Sequence, residues 1–141
     1  MTAIETVKLP FLNISFRRDL GILFTRWGQS VSLPQYIEGY TKTLQVAKLQ
    51  NAHFWLVDLR QRNTPDSQLL SWFDEEFVPS VKASIEGIAY LAYLVSPFQL
   101  QKVPTLSTPV NLDNSVVANC FTSEHDALSW LDTCRKPSLV V

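Results

Sequence analysis

One stretch decides the fold, His53-Phe-Trp-Leu-Val-Asp-Leu-Arg60, and it is followed at once by Gln-Arg-Asn-Thr-Pro-Asp-Ser67. Residues 54–59 are almost all apolar, which is typical of a strand whose two faces are both covered. The run Thr64-Pro-Asp66 then matches a helix start, with a capping hydroxyl, a proline in the first turn and a carboxylate at the positive end of the helix dipole. A strand, a polar turn and a helix in this order indicate an α/β domain, and we expect residues 54–59 in the middle of its sheet.

The residues before this strand predict a hairpin and a helix. Two alternating runs, Asn13–Asp19 and Gly21–Trp27, flank a turn at Asp19-Leu-Gly21. Period-two alternation around a glycine turn is typical of two antiparallel strands. Ser32-Leu-Pro-Gln35 then matches a capping box, and the helical spacing of the following apolar residues extends that helix to about Gln50-Asn51.

The residues after it predict two more strands and two helices. The helix that begins at Thr64 is predicted to bend or stop at Pro79, because proline does not fit a helix interior. Its inner stripe consists of Leu69, Leu70, Phe73 and Phe77. The predicted strands are Gly87–Val95 and Ser115–Phe121, and Thr122-Ser-Glu-His-Asp126 is predicted to cap a last helix. Residues 97–113 hold three prolines without a clear period, and they are predicted to form a loop that includes one helical turn.

Strands that alternate with helices pair in parallel through right-handed crossovers, whereas the opening hairpin adds an antiparallel strand. We therefore expect an α/β fold with a mixed five-stranded sheet, an N-terminal hairpin and helices packed on the sheet. Neither a repeat nor a composition shift divides the sequence, so a single domain over residues 1–141 is predicted.

The composition argues against several classes of protein. The chain has 141 residues, 46% of them hydrophobic and 18% charged, and its net charge is −1. This balance lacks the basic surface of nucleic-acid-binding proteins, so we expect no nucleic-acid partner. We expect neither a signal segment nor membrane insertion, because the longest apolar stretch, Gly87–Val95, is far shorter than the ~20 residues that span a bilayer. The cysteines, Cys120 and Cys134, fit a reducing compartment, and a cytoplasmic location is predicted.

Three features occur in a recognisable order. They are the hairpin end Phe24-Thr-Arg-Trp27, the strand Trp55-Leu-Val-Asp-Leu-Arg60 leading to Trp72-Phe-Asp-Glu-Glu-Phe-Val-Pro79, and the closing run from Phe121 to Ala127-Leu128 and Trp130-Leu131. In this order the chain resembles small bacterial STAS-like proteins, which share a fold with anti-sigma-factor antagonists. The resemblance implies a STAS-like fold more firmly than a role, since such proteins include members of uncharacterised function.

The resemblance also implies a possible phosphorylation site. In the antagonists, a strand ending in Asp-Leu is followed by an Asp-Ser pair at a helix start, and a partner kinase phosphorylates that serine. Here Val57-Asp58-Leu59 is followed by Asp66-Ser67, so Ser67 falls at the corresponding position. Pro65 precedes this pair and Gln68 stands where the family has a glycine. Asp66 and Ser67 are also ordinary capping residues, and that alternative stays open.

The predicted binding site lies at the carboxyl ends of the central strands, where parallel sheets form their crevices. It comprises Asp58, Arg60, Arg62, Asn63, Ser67 and Ser96. Two arginines beside a helix start could hold a carboxylate or a phosphate, because guanidinium groups and free backbone N–H groups both favour anions. In the alternative interpretation, Arg60 pairs with Asp58 or a glutamate, and Arg62 is merely solvated.

Other chemistry-bearing residues do not form a predicted site. Asp74-Glu-Glu76 occupies consecutive positions that point in different directions on a helix, so a solvated face is expected. His53 and His125 are far apart and have no cysteine at ligand spacing, so no metal and no cofactor is predicted. The cysteines are expected to be small buried residues. The aromatic residues Tyr36, Tyr40, Trp72 and Phe73 either belong to the core or line a pocket or a dimer surface.

These observations favour a non-enzymatic regulatory or protein-interaction module that forms a homodimer. It would bind a regulatory partner through a surface made by the turn after residues 54–59 and the helix that follows this turn. The alternative is a small-molecule carrier that holds an apolar or anionic ligand between helix and sheet, with Arg60 and Arg62 at its mouth. An enzyme ranks last, because the sequence brings no base, nucleophile and oxyanion donor together.

Overall fold

The structure, a computed structural model, describes residues 4–28, 31–61, 71–102, 110–111 and 115–135. The strands are β1 (Ile4–Leu9), β2 (Leu12–Arg17), β3 (Ile22–Trp27), β4 (Phe54–Asp58), β5 (Ala89–Leu94), β6 (Val110–Asn111) and β7 (Val116–Phe121). The helices are α1 (Leu33–Gln50), α2 (Val78–Ser84), α3 (Pro97–Lys102) and α4 (Glu124–Arg135), and a π turn (Phe73–Phe77) runs directly into α2.

All the strands belong to one mixed sheet in the order β1-β2-β3-β4-β5-β7-β6. Strands β3, β4, β5 and β7 are parallel, whereas β1, β2 and β6 join as antiparallel neighbours. The α/β class, the mixed sheet and the hairpin are therefore confirmed, and β4 lies in the middle as expected. The predicted count of five strands is wrong: the described residues contain six strands of five or six residues and the two-residue β6.

The first additional strand, β1, was missed because it lies at the edge of the sheet. Thr6 and Lys8 are exposed, while Val7 and Leu9 are only half-buried. An edge strand that covers part of one face shows a weak hydrophobic alternation, and this is why the pattern alone does not distinguish it from a polar terminus.

Two hydrophobic cores cover the two faces of β4. On one face, Trp55 and Val57 pack in a core that includes residues of α1 and α2. On the other face, Leu56 packs with Ala127 and Leu131 of α4. Each of the three β4 residues is at most 1% exposed, so the predicted sealing of this strand from water by helices on either side is confirmed.

Helix α1 has the predicted limits and the predicted capping box. The amide of Gln35 donates to the hydroxyl of Ser32, and the amide of Ser32 donates to the side-chain oxygen of Gln35. Asn51 ends the helix in the left-handed conformation, with φ of 52°. The helix packs so closely on the sheet at Gly39 that a β-carbon added there would lie 2.4 Å from Cη2 of Trp27.

The helix was predicted to bend or to stop at Pro79, and of these two alternatives the stop is wrong. The helix does not stop there but continues to Ser84, and the π turn lies immediately before α2. In this turn the amide of Val78 donates to the carbonyl of Phe73, five residues back. The wider turn accommodates a proline that would clash with a carbonyl four residues back in a regular α-helix. The predicted start at Thr64-Pro-Asp66, with Leu69 and Leu70, lies outside the described residues.

Residues 97–113 were predicted to be a loop, and this prediction is only partly correct. They contain the short helix α3 and the strand β6, while residues 103–109 and 112–113 lie outside the described part of the chain. The start of α3 has a second capping box, in which Ser96 and Gln99 exchange hydrogen bonds of 2.8 and 3.1 Å. The pattern Ser96-Pro-Phe-Gln99 carries the same signal as Ser32-Leu-Pro-Gln35, and it could have predicted this helix.

Candidate functional site

A cluster of charged side chains lies at the carboxyl edge of the parallel strands. Asp58 is the last residue of β4, and Arg26 of β3 is its partner in the parallel register. Alternation along β3 places Arg26 on the face of Ile22 and Phe24, which α4 covers. The first residue of α4, Glu124, therefore reaches Arg26 from above the same face. We call Arg26, Asp58, Arg60 and Glu124 the carboxyl-edge ion cluster.

Asp58 is the centre of this cluster. Its side chain is only 10% exposed. Arg60 binds it in a bidentate manner, with Nε 3.0 Å from Oδ1 and Nη2 2.9 Å from Oδ2. The backbone amide of Arg60 also donates to Oδ1 over 3.1 Å. These bonds fix the chain where it leaves the sheet, because side chain and backbone of one residue both bind the same carboxylate.

Arg26 connects the central strand to α4. Its Nη1 lies 2.8 Å from Oδ2 of Asp58 and 3.0 Å from Oε1 of Glu124. One guanidinium therefore joins β3, β4 and the start of α4. The carboxylate of Glu124 also lies at the positive end of the α4 dipole, where negative charge is favourable.

The surroundings of Asp58 keep it ionised. Burial of the carboxylate raises its pKa, but the hydrogen bonds from Arg60 and Arg26 together outweigh this effect and hold the pKa of Asp58 below its ordinary value of 3.8. A carboxylate held in this way is a poor proton donor near neutral pH. The cluster therefore acts as a set of fixed charges, and the side chains of Arg26 and Arg60 are 42% and 44% exposed.

The structure brings together two of the predicted site residues, Asp58 and Arg60. Their ion pair is the pairing that the alternative interpretation expected for Arg60, whereas its second part, a solvated Arg62, stays a prediction. The residues Arg62, Asn63 and Ser67 lie outside the described residues. Ser96 does not join the cluster, because its amide and its hydroxyl form the capping box of α3. Instead, Gln99 of α3 donates to the carbonyl of Leu59 over 2.9 Å and holds α3 against the end of β4.

The sequence prediction missed Arg26 and Glu124. Arg26 is 32 residues from Asp58 and 98 residues from Glu124, so no local spacing links them. The available signal was the position of Arg26 at the end of an alternating strand, on the same face as Ile22 and Phe24. That signal becomes informative once β3 and β4 are known to be neighbours in register.

The aromatic residues proposed for a pocket or a dimer surface mostly belong to the core. Tyr36 and Tyr40 are each 2% exposed, whereas Trp72 and Phe73 are half-buried. Their rings form a continuous cluster, with centroids of Tyr36 and Trp72 5.6 Å apart and those of Tyr40 and Phe73 5.5 Å apart. Packing of this kind stabilises the interface between α1 and the π turn.

The remaining candidate groups form no site in the described part of the chain. Within the described ranges, no group of three or more His, Cys, Asp or Glu side chains could hold a metal ion. Burial raises the pKa of the Cys120 thiol to about 11 and also raises the pKa of Cys134. Both thiols are therefore protonated near neutral pH and are weak nucleophiles. The side chains of Asp74, Glu75 and Glu76 are exposed on the π turn.

The comparisons with known proteins give no match. No family model matches the chain, no curated protein is similar to it, and no solved structure matches its fold. Among the described residues, no helix is long and apolar enough to cross a membrane. The carboxyl-edge ion cluster is therefore interpreted from its geometry alone.

Proposed function

We propose that this protein is a regulatory protein-interaction module with a STAS-like fold, and that the carboxyl-edge ion cluster is part of its docking surface. The observation that carries the proposal is the pair of half-exposed guanidinium groups held by one nearly buried carboxylate, Asp58. We place the module in the cytoplasm, as a homodimer with a further regulatory partner, and with a non-enzymatic role.

Pre-positioned arginines favour the binding of a partner. Arginine loses considerable side-chain entropy when it is immobilised at an interface. Here the hydrogen bonds to Asp58 already restrict Arg26 and Arg60 in the free protein, so less entropy remains to be lost. Their exposed N–H groups can donate to a carboxylate or a phosphate of the partner, for which arginine is well suited.

The position of the cluster also supports the proposal. It lies where the central strand ends and the chain enters residues 59–61, and α3 and α4 both begin beside it. Ligand and partner sites of parallel sheets are concentrated at this edge. Ser67 follows Arg60 by seven residues in the sequence. Under the STAS-like interpretation a kinase phosphorylates Ser67, and the added negative charge would change the affinity of this arginine-rich surface for a partner.

The docking proposal is tested by quantitative affinity enrichment from the native host with wild-type protein and the Arg60→Gln variant. Arg18→Gln is the matched control, because Arg18 is also an exposed arginine but lies near the opposite edge of the sheet. We expect one partner that is recovered equally by wild type and Arg18→Gln and at least about tenfold less by Arg60→Gln. This factor follows because charge-assisted hydrogen bonds are worth about 1.5–3 kcal/mol. Equal enrichment by all three proteins would contradict the proposal.

The phosphorylation and oligomer proposals have separate tests. Mass spectrometry of protein from the native host should detect phosphate on Ser67. The same peptide of the Ser67→Ala variant should carry no phosphate. Absence of phosphate from the wild-type peptide under all growth conditions would exclude the switch.

Light scattering after size-exclusion chromatography should give the mass of a dimer rather than the 16.0 kDa of one chain. A monomer across the concentrations found in cells would contradict the homodimer.

A further inference from the structure

We infer that the opposite, amino-terminal edge of the sheet carries a second site, and that this site binds a small organic molecule with a carboxylate or phosphate group. A cleft of about 390 Å³ opens there between the β2–β3 turn, the ends of α1 and α4, and the start of β4. The cleft is lined by Phe16, Arg18, Asp19, Leu20, Gly21, Gln50, Asn51, His53, Phe54 and Arg135. Its volume is at the lower end of the range of small-molecule sites.

The charged side chains of the cleft leave a positive balance. Arg18 and Arg135 both line it, and Arg18 forms no ion pair with any described residue. The one carboxylate of the lining, Asp19, is engaged by Arg17, whose Nε lies 3.2 Å from Oδ1. The charge of Asp19 is thus compensated before a ligand arrives, while two guanidinium groups remain to attract an anion.

Arg135 is held in place at the wall of the cleft. Its Nη2 donates to the carbonyl of Leu20, and its guanidinium carbon lies 5.0 Å from the ring centroid of Phe54. The same ring stacks on Tyr90, with an interplanar angle of 7°, so Phe54 is fixed between two partners. The guanidinium is therefore restricted before binding, and its remaining N–H groups can bind an oxyanion with a small loss of entropy.

His53 adds a polar group with a defined orientation. Its Nδ1 lies 3.0 Å from the carbonyl of Ile88, and because a carbonyl accepts, Nδ1 must carry the hydrogen. In the neutral ring Nε2 is then an acceptor, so it can accept from a hydroxyl or amino group of the ligand or from water, while the oxyanion is bound by the arginines. Leu20 and Phe54 are half-buried and contribute apolar surface beside these groups, so the lining suits a molecule with an apolar body and an anionic end.

One feature of the fold opposes an anion at this edge. Helices α1 and α4 both end here, and the carbonyl ends of helices carry partial negative charge. Two carbonyls near the end of α1, those of Ala47 and Lys48, are already bonded by the amides of Ala52 and Asn51. The guanidinium groups bond directly to the anion and so act on it over a shorter distance than the remaining partial charges do. Their attraction therefore outweighs the repulsion by the helix ends, and an anion is favoured in the cleft.

The chain offers a separate reporter for each edge of the sheet, because it contains two histidines at opposite edges. His53 lies in the cleft, and His125 lies in the first turn of α4. Phenyl phosphate is titrated into the full-length protein at constant ionic strength, and the imidazole C–H signals are followed by NMR. We expect a saturable shift of the His53 signals. A shift of the His125 signals would report binding at the carboxyl-edge ion cluster, which is a separate event. A non-saturable shift of the His53 signals, or none, would overturn the inference.

Variants separate this site from the carboxyl-edge ion cluster. Arg18→Gln should weaken the binding of phenyl phosphate at least about tenfold, as expected for the loss of one charge-assisted contact. Arg60→Gln should leave it unchanged, so this inference can fail or succeed independently of the proposed docking surface. Benzoate should also bind at His53, because the site requires an oxyanion rather than a phosphorus atom. Equal binding by phenol, or by the Arg18→Gln variant, would overturn the inference.

Discussion

At the scale of single residues, Asp58 combines a nearly buried charge with strong partners. Replacement of Asp58 by Asn removes the charge but keeps the shape, so the bonds from Arg26 and Arg60 become weaker. We expect Asp58→Asn to lower the free energy of unfolding at pH 7 by about 1–2 kcal/mol, a moderate loss because both guanidinium groups are partly in water. Urea unfolding, followed by tryptophan fluorescence, measures this difference.

The difference should also depend on pH. The pKa of Asp58 in the folded protein is lowered from 3.8. Its stabilising contribution is therefore fully present above about pH 4 and is lost as the pH falls through the folded pKa. The gap between wild type and Asp58→Asn should be constant from pH 5 to 7 and should narrow below pH 3.8. A gap that stays unchanged at pH 3 would contradict this assignment.

At Gly39, helix propensity favours alanine but packing excludes it. In an exposed helix, Gly→Ala stabilises by about 1 kcal/mol. Here the new β-carbon would lie 2.4 Å from Trp27 and 2.9 Å from Leu12. We expect Gly39→Ala to lower the free energy of unfolding by about 1–3 kcal/mol, as overpacked cores do. Thr41→Ala, at an exposed position of the same helix, should not destabilise, and thermal unfolding compares the two. A higher melting temperature for Gly39→Ala would contradict the prediction.

The candidate site could be predicted from the sequence in part. Residues of the site that lie close together in the sequence could be predicted, whereas those that lie far apart could not. Asp58 and Arg60 are two residues apart, so their pairing follows from the strand end itself. Arg26 and Glu124 join them only through the register of β3 against β4 and the placement of α4. Register depends on all the pairings of a sheet at once, and a single stretch of sequence does not contain it.

At the scale of elements, the sequence predicts those whose local signals and burial agree. The capping box and the apolar spacing of α1 agree, and both limits of this helix are confirmed. The strand β4 is apolar on both faces, and it too is confirmed. Strand β1 was missed because its inward residues Val7 and Leu9 are only half-buried, and helix α3 was predicted only as one turn in a loop because its six residues are too few to repeat a helical pattern.

The π turn before α2 leads to a prediction about Pro79. A proline inside a regular helix costs about 3 kcal/mol through its missing N–H and its clash with the preceding turn. Because the π turn widens the helix immediately before α2, we expect little of this strain. Pro79→Ala should change the free energy of unfolding by less than about 1 kcal/mol, as should Pro34→Ala in the first turn of α1. Stabilisation by about 3 kcal/mol in Pro79→Ala alone would show that the turn does not relieve the clash.

At the scale of the whole molecule, the arrangement of the sheet follows from the contrast between its strands. Strands β4 and β5 are apolar and have parallel neighbours on both sides, whereas β1 and β6 lie at the margins. The sequence predicts the central position of β4 because only a strand covered on both faces can be apolar throughout. It does not predict the number of strands, because marginal strands need few buried side chains to pair with their neighbours.

This contrast predicts how the molecule opens. The amides of Leu56 and Val57 lie in the middle of the sheet, and both side chains are at most 1% exposed, so they should exchange with solvent only through global unfolding. The amides of β1 that bond to β2 should exchange through local opening and more rapidly.

The Leu56→Ala variant should lose about 2–5 kcal/mol of global stability. In native-state hydrogen exchange, protection of β4 should fall by the same amount, while protection of β1 should change little because its opening does not involve this core. Equal loss of protection in β1 and β4 would mean that the sheet opens as one unit, contrary to this prediction.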